Sequence, residues 1–361
     1  MSIFLIVLII VLILWALGLW FGSGEDLTSF DHAVESGGGE TFSGPHGPSA
    51  EHETAVAGIR AMGGKLKGLS RKQMLQFTRD FMEDMSRGKS FPCEFLPVDV
   101  NGVPAEWVLA PGVDGSRRVL YIHGGAFIAG SPNSHRSITS RFSKVANAAV
   151  LAIDYRLMPE NPRARGIEDC RTAYRWILAN GPAEQGPPSR LFMGGDSAGG
   201  NLSLVMAAWA RDHKLRAPDA VVAMSPLTDS RYTGPSIRSN LLTDTMLGPL
   251  FGALLKIPKV ILSWIFVVEN RFRPGNPDVS PVYGDLSDLP PVLVQVSESE
   301  MLFDDARRYV NKARKAGSPV YLQSWAGLLH VWQIFYPDVP EAGQAWDRIG
   351  EFLARAEQGA G

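Results

Sequence analysis

The hydrophobic pattern divides the chain into three stretches. Residues 3–22 read IFLIVLIIVLILWALGLWFG, twenty positions without a charge. A helix rising 1.5 Å per residue covers about 30 Å over such a run, the thickness of a bilayer's hydrocarbon core. Apolar side chains occupy every face, as lipid on all sides requires. Trp15 and Trp20 fall toward the C-terminal end, where indoles favour the interface. A cleaved secretory signal is the alternative. No Lys or Arg precedes the run, and it exceeds the roughly 7–15 apolar residues of such signals. Residues 1–22 are therefore expected to be an uncleaved, single-pass membrane anchor. The first basic residue is Arg60, so basic flanks do not set the orientation. The α-amino group favours the cytoplasm, which places the following domain on the extracytoplasmic side.

Residues 23–53 are rich in Gly, Ser, Pro and acidic side chains, and are expected to be a flexible linker. His32, His46 and His52 fall there and read as solvated. From Ala55 to Arg87 the spacing turns helical. Ser70 is placed as an N-cap, with Met74, Phe77, Phe81 and Met85 on one face. Short apolar runs then alternate with amphipathic stretches. Strands are expected at 95–100, 107–110, 119–123, 150–155, 191–195, 220–224, 292–296 and 320–325, and helices at 166–179, 198–213, 304–316 and 341–356. Strands alternating with helices imply an α/β domain over residues 54–361, a mostly parallel central sheet with helices on both faces. About sixty residues after Asp229 lack a sheet strand, too many for a plain loop.

Composition narrows the function classes. Of 361 residues, 45% are hydrophobic and 20% charged, which excludes wholesale disorder. A net charge of −2 without basic clusters gives no nucleic-acid footprint. Cys93 and Cys170 stand far apart with no C-x-x-C spacing, which disfavours a zinc or dithiol site. No metal or organic cofactor is expected.

Two segments carry chemistry. Gly195-Asp196-Ser197-Ala198-Gly199 matches G-x-S-x-G between a predicted strand and a predicted helix. A serine there sits on a sharp turn, and glycines two residues away on either side keep neighbouring Cβ atoms clear. The helix start supplies N–H donors for an oxyanion. Upstream, His123-Gly124-Gly125-Ala126-Phe127 follows the strand at 119–123. Its glycine pair lets backbone N–H groups face a developing negative charge. His123 and Asp196 read as braces of these loops.

With Asp154-Tyr155-Arg156-Leu157-Met158-Pro159-Glu160-Asn161-Pro162 and Ser225-Pro226-Leu227-Thr228-Asp229 in the same order, the chain resembles the hormone-sensitive-lipase-like family of α/β-hydrolase esterases from about Ala55 onward. The resemblance implies an α/β-hydrolase fold with a helical cap, formed from about 54–92 and 230–285, and an oxyanion hole from Gly124, Gly125 and Ala198. Ala126 departs from the family's third glycine. Asp154, Tyr155, Arg156 and Glu160 are implied to be structural.

The triad acid and histidine follow the serine in this fold. Only His213 and His330 do so, and His213 lies on the helix that starts beside Ser197. His330 is the expected base. The family's acid segment aligns on Glu300, with Asp304 as helix N-cap and Asp305 in the first turn; Glu298 and Asp304 are the other candidates. The apolar stretch 250–268, broken at Pro258, reads either as a buried cap helix or as a surface dipping into lipid. Phe127, Trp264, Phe266 and Trp332 are expected to line the substrate pocket. These features favour a lipophilic carboxylic ester as substrate. A deacetylase of a cell-envelope or small-molecule acetyl ester, an amidase and a non-catalytic ligand-binding member of the fold are the rival functions.

Overall fold

The structure is a computed structural model that describes residues 3–44, 47–66 and 68–359. His46 lies outside the described residues.

Among the described residues, nine strands form one sheet: β1 (Gly39–Phe42), β2 (Glu94–Val100), β3 (Val103–Leu109), β4 (Asp114–Ile122), β5 (Ala148–Ile153), β6 (Arg190–Asp196), β7 (Ala220–Met224), β8 (Val292–Ser297) and β9 (Val320–Trp325). Their order is β1-β9-β8-β7-β6-β4-β5-β3-β2. Among the described residues, the antiparallel pairings are β2 with β3 and β3 with β5. β5 and β7 are buried at every position, as central parallel strands covered on both faces must be.

The helices are α1 (Ile3–Phe21), α2 (Ala50–Lys65), α3 (Arg71–Asp84), α4 (Arg136–Ala146), α5 (Arg163–Ile177), α6 (Ala198–Asp212), α7 (Ser236–Ser239), α8 (Gly248–Phe251), α9 (Lys259–Asn270), α10 (Phe303–Lys315) and α11 (Pro340–Gly359). Leu120, Ile122, Leu151 and Val294 face α5, α6 and α10 on one side of the sheet. Val119, Tyr121, Val150 and Phe192 face α4 and α11 on the other. Period-two alternation along β4 thus feeds two separate cores. The α/β architecture expected from the sequence is the one found. A capping box at Ser70 and Gln73 starts α3.

The segment expected to be a free linker is instead docked. Leu27 and Phe30 are buried in the main core. Asn311 Nδ2 donates to Phe30 O and His32 O, and Arg308 pairs with Asp31 at 2.6 and 2.8 Å. β1 adds a parallel strand to β9. Buried partners for a few apolar and backbone groups outweigh the flexibility that composition favours.

α1 is the one described helix long and apolar enough to cross a membrane. Its apolar side chains from Phe4 to Trp15 are exposed. Its last turns lie on α9. A Cβ on Gly18 would stand 2.5 Å from Val260 Cγ1, and one on Gly22 2.7 Å from Ser263 Oγ. Both positions need hydrogen for the helices to approach so closely.

Candidate active site

The β6–α6 turn places Ser197 at φ +51°, outside the ordinary regions for a residue with a side chain. The turn closes because its flanks are bare. A Cβ on Gly199 would meet Ile122 O at 1.9 Å, and one on Gly195 would meet Gly199 and Ile122 at 2.5 Å. Ser197 N donates to Met224 O at 2.7 Å, pinning the turn to β7. Such strain persists only where the surroundings over-determine it.

His330 lies in the loop after β9, with its Nε2 2.9 Å from Ser197 Oγ. Its Nδ1 faces Glu300 Oε2 in a short hydrogen bond. Glu300 follows β8 and is fully buried. Its other oxygen accepts from Ser297 N at 2.7 Å and Ser225 Oγ at 2.9 Å. Ser225 Oγ also accepts from Val331 N at 3.2 Å, so one hydroxyl ties Glu300 to the His330 loop. The sequence reading assigned Ser225 no role. Burial alone would push the His330 imidazole down; the Glu300 carboxylate outweighs it and holds the ring above its ordinary 6.5. Glu298 Oε1 accepts from Ser324 Oγ, and Asp304 from Ser236 N, so neither alternative acid reaches His330.

The oxyanion loop differs from expectation in one donor. Gly124 N donates to Asp196 Oδ1 at 3.0 Å and is therefore committed. Among the described residues, the N–H groups of Gly125, Ala126 and Ala198 have no protein acceptor. Gly125 and Ala126 also line the cavity over Ser197. Asp196 further accepts from Tyr121 Oη. His123 Nδ1 donates to Gly124 O at 2.7 Å, its ring stacks on Tyr155, and Tyr155 Oη donates to His123 O. Burial, reinforced by His135 nearby, lowers the His123 imidazole to about 3, so it stays neutral and braces the loop. Arg156 pairs with Asp169, and Glu160 with Arg79. Asp154 N donates to Pro104 O at 2.8 Å, holding the end of β5 against the start of β3.

A cavity of about 110 Å³ opens above Ser197. Its roof is Met62 of α2 and Leu66 just beyond it, Phe77, Phe81 and Met82 of α3, and Leu250 of α8. Arg79 clamps α3 to the body, donating to Ile128 O, Met158 O and both oxygens of Glu160. None of the four expected pocket residues lines this cavity. Phe127 lies beneath the Arg163 guanidinium, 3.6 Å from its carbon. Trp332 packs on Trp325 and donates to Glu341 O. Trp264 lies against α1, donating to Leu14 O at 3.0 Å and meeting Phe21 edge-on. Phe266 packs on the main core. α9 thus sets Phe266 on that core and Trp264 on α1, and neither side chain faces the cavity.

Residues 119–334 match the family described as the alpha/beta hydrolase fold. An acetyl-hydrolase of Streptomyces hygroscopicus is 38% identical over 260 residues, covering 72% of this chain and 82% of that protein. The carboxylesterase/phospholipase LipF of Mycobacterium tuberculosis is 36% identical over 269 residues, 72% of this chain and 68% of its own. An esterase from the bacterial hormone-sensitive lipase family superposes with a TM-score of 0.73 at 37% identity, over 85% of this chain and 98% of that one. This chain belongs to the hormone-sensitive-lipase-like family of α/β-hydrolase esterases. It is a serine ester hydrolase.

Proposed function

We propose that the protein is a membrane-anchored carboxylesterase that cleaves lipophilic esters through Ser197, His330 and Glu300. The observation that carries the reading is the unbroken line Ser197 Oγ, His330 Nε2, His330 Nδ1, Glu300 Oε2. Ser197 Oγ attacks the ester carbonyl as His330 takes its proton. The buried Glu300 carboxylate fixes the imidazole tautomer and stabilises the imidazolium. The carbonyl oxygen, now negative, is held by the free N–H groups of Gly125, Ala126 and Ala198 at the positive end of α6. His330 returns the proton to the leaving alcohol. Water then cleaves the acyl-enzyme by the same route.

Two observations support the lipid side of the reading. α1 exposes apolar residues along its length, and the α9 helix beside it exposes Ile261, Ile265 and Val268. The cavity roof is methionine, leucine and phenylalanine. A second reading, an acetyl esterase, draws on the cavity's size. At about 110 Å³ it is smaller than the ~150 Å³ that admits benzene, so long acyl chains require the roof to give way.

Hydrolysis of p-nitrophenyl esters from acetate to palmitate, by detergent-solubilised full-length protein and its Ser197→Ala variant, tests both readings. The variant is expected to lose on the order of 10⁶-fold in kcat. An optimum beyond acetate supports the lipophilic ester. Activity confined to acetate selects the acetyl esterase, and turnover by the variant refutes the nucleophile.

A further inference from the structure

His52 sits on the first turn of α2, in a stretch whose composition reads as solvated, yet it is fully buried. Its Nε2 lies 2.9 Å from the backbone N of Leu329, the residue before His330. A backbone N–H can only donate, so Nε2 accepts and the ring hydrogen sits on Nδ1. Among the described residues, Nδ1 has no hydrogen-bond partner; Glu53 Oε1 is 3.9 Å away. The start of α2 is itself fixed. Ser49 N and Oγ donate to Glu341 of α11 at 2.6 and 2.8 Å, and Ser49 Oγ caps the His52 N–H.

Beside those of the His330 ring itself, three hydrogen bonds hold residues 328–331 of its loop to other elements. Ser297 Oγ donates to Leu328 O at 2.6 Å, Val331 N donates to Ser225 Oγ at 3.2 Å, and Leu329 N donates to His52. The first two come from the body, next to Glu300. The third alone comes from the cap. The loop needs such fixing, because Val331 is β-branched and sits at φ +54°. The far end of α2 contributes Met62, Gly63 and Leu66 to the cavity. One rigid helix thus touches the acyl chain's space at its end and the base's loop at its start.

We propose that His52 is a positioning residue: by accepting the Leu329 N–H it sets the place of His330 over Ser197, and through α2 it couples the base to the roof of the cavity. The inference rests on the reading of Ser197, His330 and Glu300 as the triad. A histidine that merely filled core space would be replaced best by leucine. A histidine that acts as an acceptor would be replaced best by glutamine, whose Oε1 stands the same number of bonds from Cβ as Nε2.

The test compares His52→Leu, His52→Gln and His52→Asn in the full-length protein, with Ser197→Ala as control. Initial rates with p-nitrophenyl butyrate, the rate of Ser197 labelling by a fluorophosphonate, and melting temperature are measured. His52→Leu is expected to lower kcat and the labelling rate about tenfold with KM nearly unchanged, since a small misplacement of a catalytic group acts on the chemical step. His52→Gln is expected to restore most of both rates. If His52→Leu fails to fold, the decision passes to His52→Asn, whose carbonyl is one atom short and which should show the same tenfold loss, about the worth of one hydrogen bond. Equal rates for Gln and Asn, or a folded Leu variant within about twofold of the parent, would overturn the inference while the triad stands. Turnover by Ser197→Ala would instead remove the triad reading beneath it.

Discussion

Beneath the cavity, Gly125, Ala126, Ser197, Ser225 and Val331 all hold positive φ, whereas above it α3 has no fully buried side chain. The floor is specified by backbone. Its glycines leave so little room that added Cβ atoms would overlap carbonyl oxygens at 1.9 Å for Gly199 and 2.1 Å for Gly125. The roof is specified by side chains, several of them methionines, whose unbranched thioethers adapt to what they cover. The difference teaches how the two tasks are divided. Transition-state stabilisation rewards donors fixed in advance to a fraction of an ångström. Accepting an acyl chain rewards a surface that can repack.

The sharpest way to break this contrast is at the floor. Glu300→Gln should lower kcat by about 10⁴-fold, the cost of presenting the wrong imidazole tautomer, measured on p-nitrophenyl butyrate with KM as the internal control. A loss below about tenfold would mean that the floor's preorganisation is not where the rate comes from. A smaller effect, but a graded one, comes from acid. In the proposed mechanism His330 takes a proton only when neutral, and its imidazole lies above 6.5 in the fold. Activity should therefore be full above that raised value and fall as pH drops through it, approaching tenfold per unit. An acid limb centred below pH 6.5 would contradict the Glu300–His330 geometry. The smallest effect belongs to the roof. Phe81→Ala should shift the ester optimum toward longer chains with only a several-fold change in kcat for butyrate, since one enlarged apolar contact is worth about 1–3 kcal/mol. A chain-length profile unchanged by this variant would show that the roof does not set acyl length.

What could be read in the sequence follows the same division. The β6–Ser197–α6 turn and the HGG loop are contiguous, and their glycines announce the crowding that requires them. That His330 would stand beside Ser197 was legible from chain order, and that Glu300 would stand beside His330 only with the family's spacing. The sharing of donors was not legible: that Gly124 serves Asp196 while Ala126 stays free depends on how two distant loops meet. β1 escaped notice because four residues, GETF, in a glycine-rich stretch carry almost no periodic signal. α4 did so because Ser137, Ser140 and Ser143 share its buried face with Ile138 and Phe142. Ser143 belongs there because it donates to Ala148 O and accepts from Ala110 N. Trp264 and Phe266 were misplaced for a different reason. Apolar character tells that a side chain is covered, not by what, and the α1 helix that covers Trp264 is more than two hundred residues away.

The docking of residues 27–42 has a practical side for anyone who shortens the chain to remove its greasy start. A cut just after α1 leaves β1 in place along β9 and Asp31 against Arg308. A cut just before α2 would strip both. It would bare the main-chain edge of β9, a template for unwanted strand pairing between molecules. It would also take Asp31 from the Arg308 guanidinium, now only 2% exposed, leaving it Thr233 Oγ1 and the nearby Asp229 and Asp305 carboxylates, so the loss stays below the ~3–5 kcal/mol of a fully buried pair broken on one side. The natural place to divide this molecule therefore lies at the end of α1, not at the start of α2 where its composition suggests.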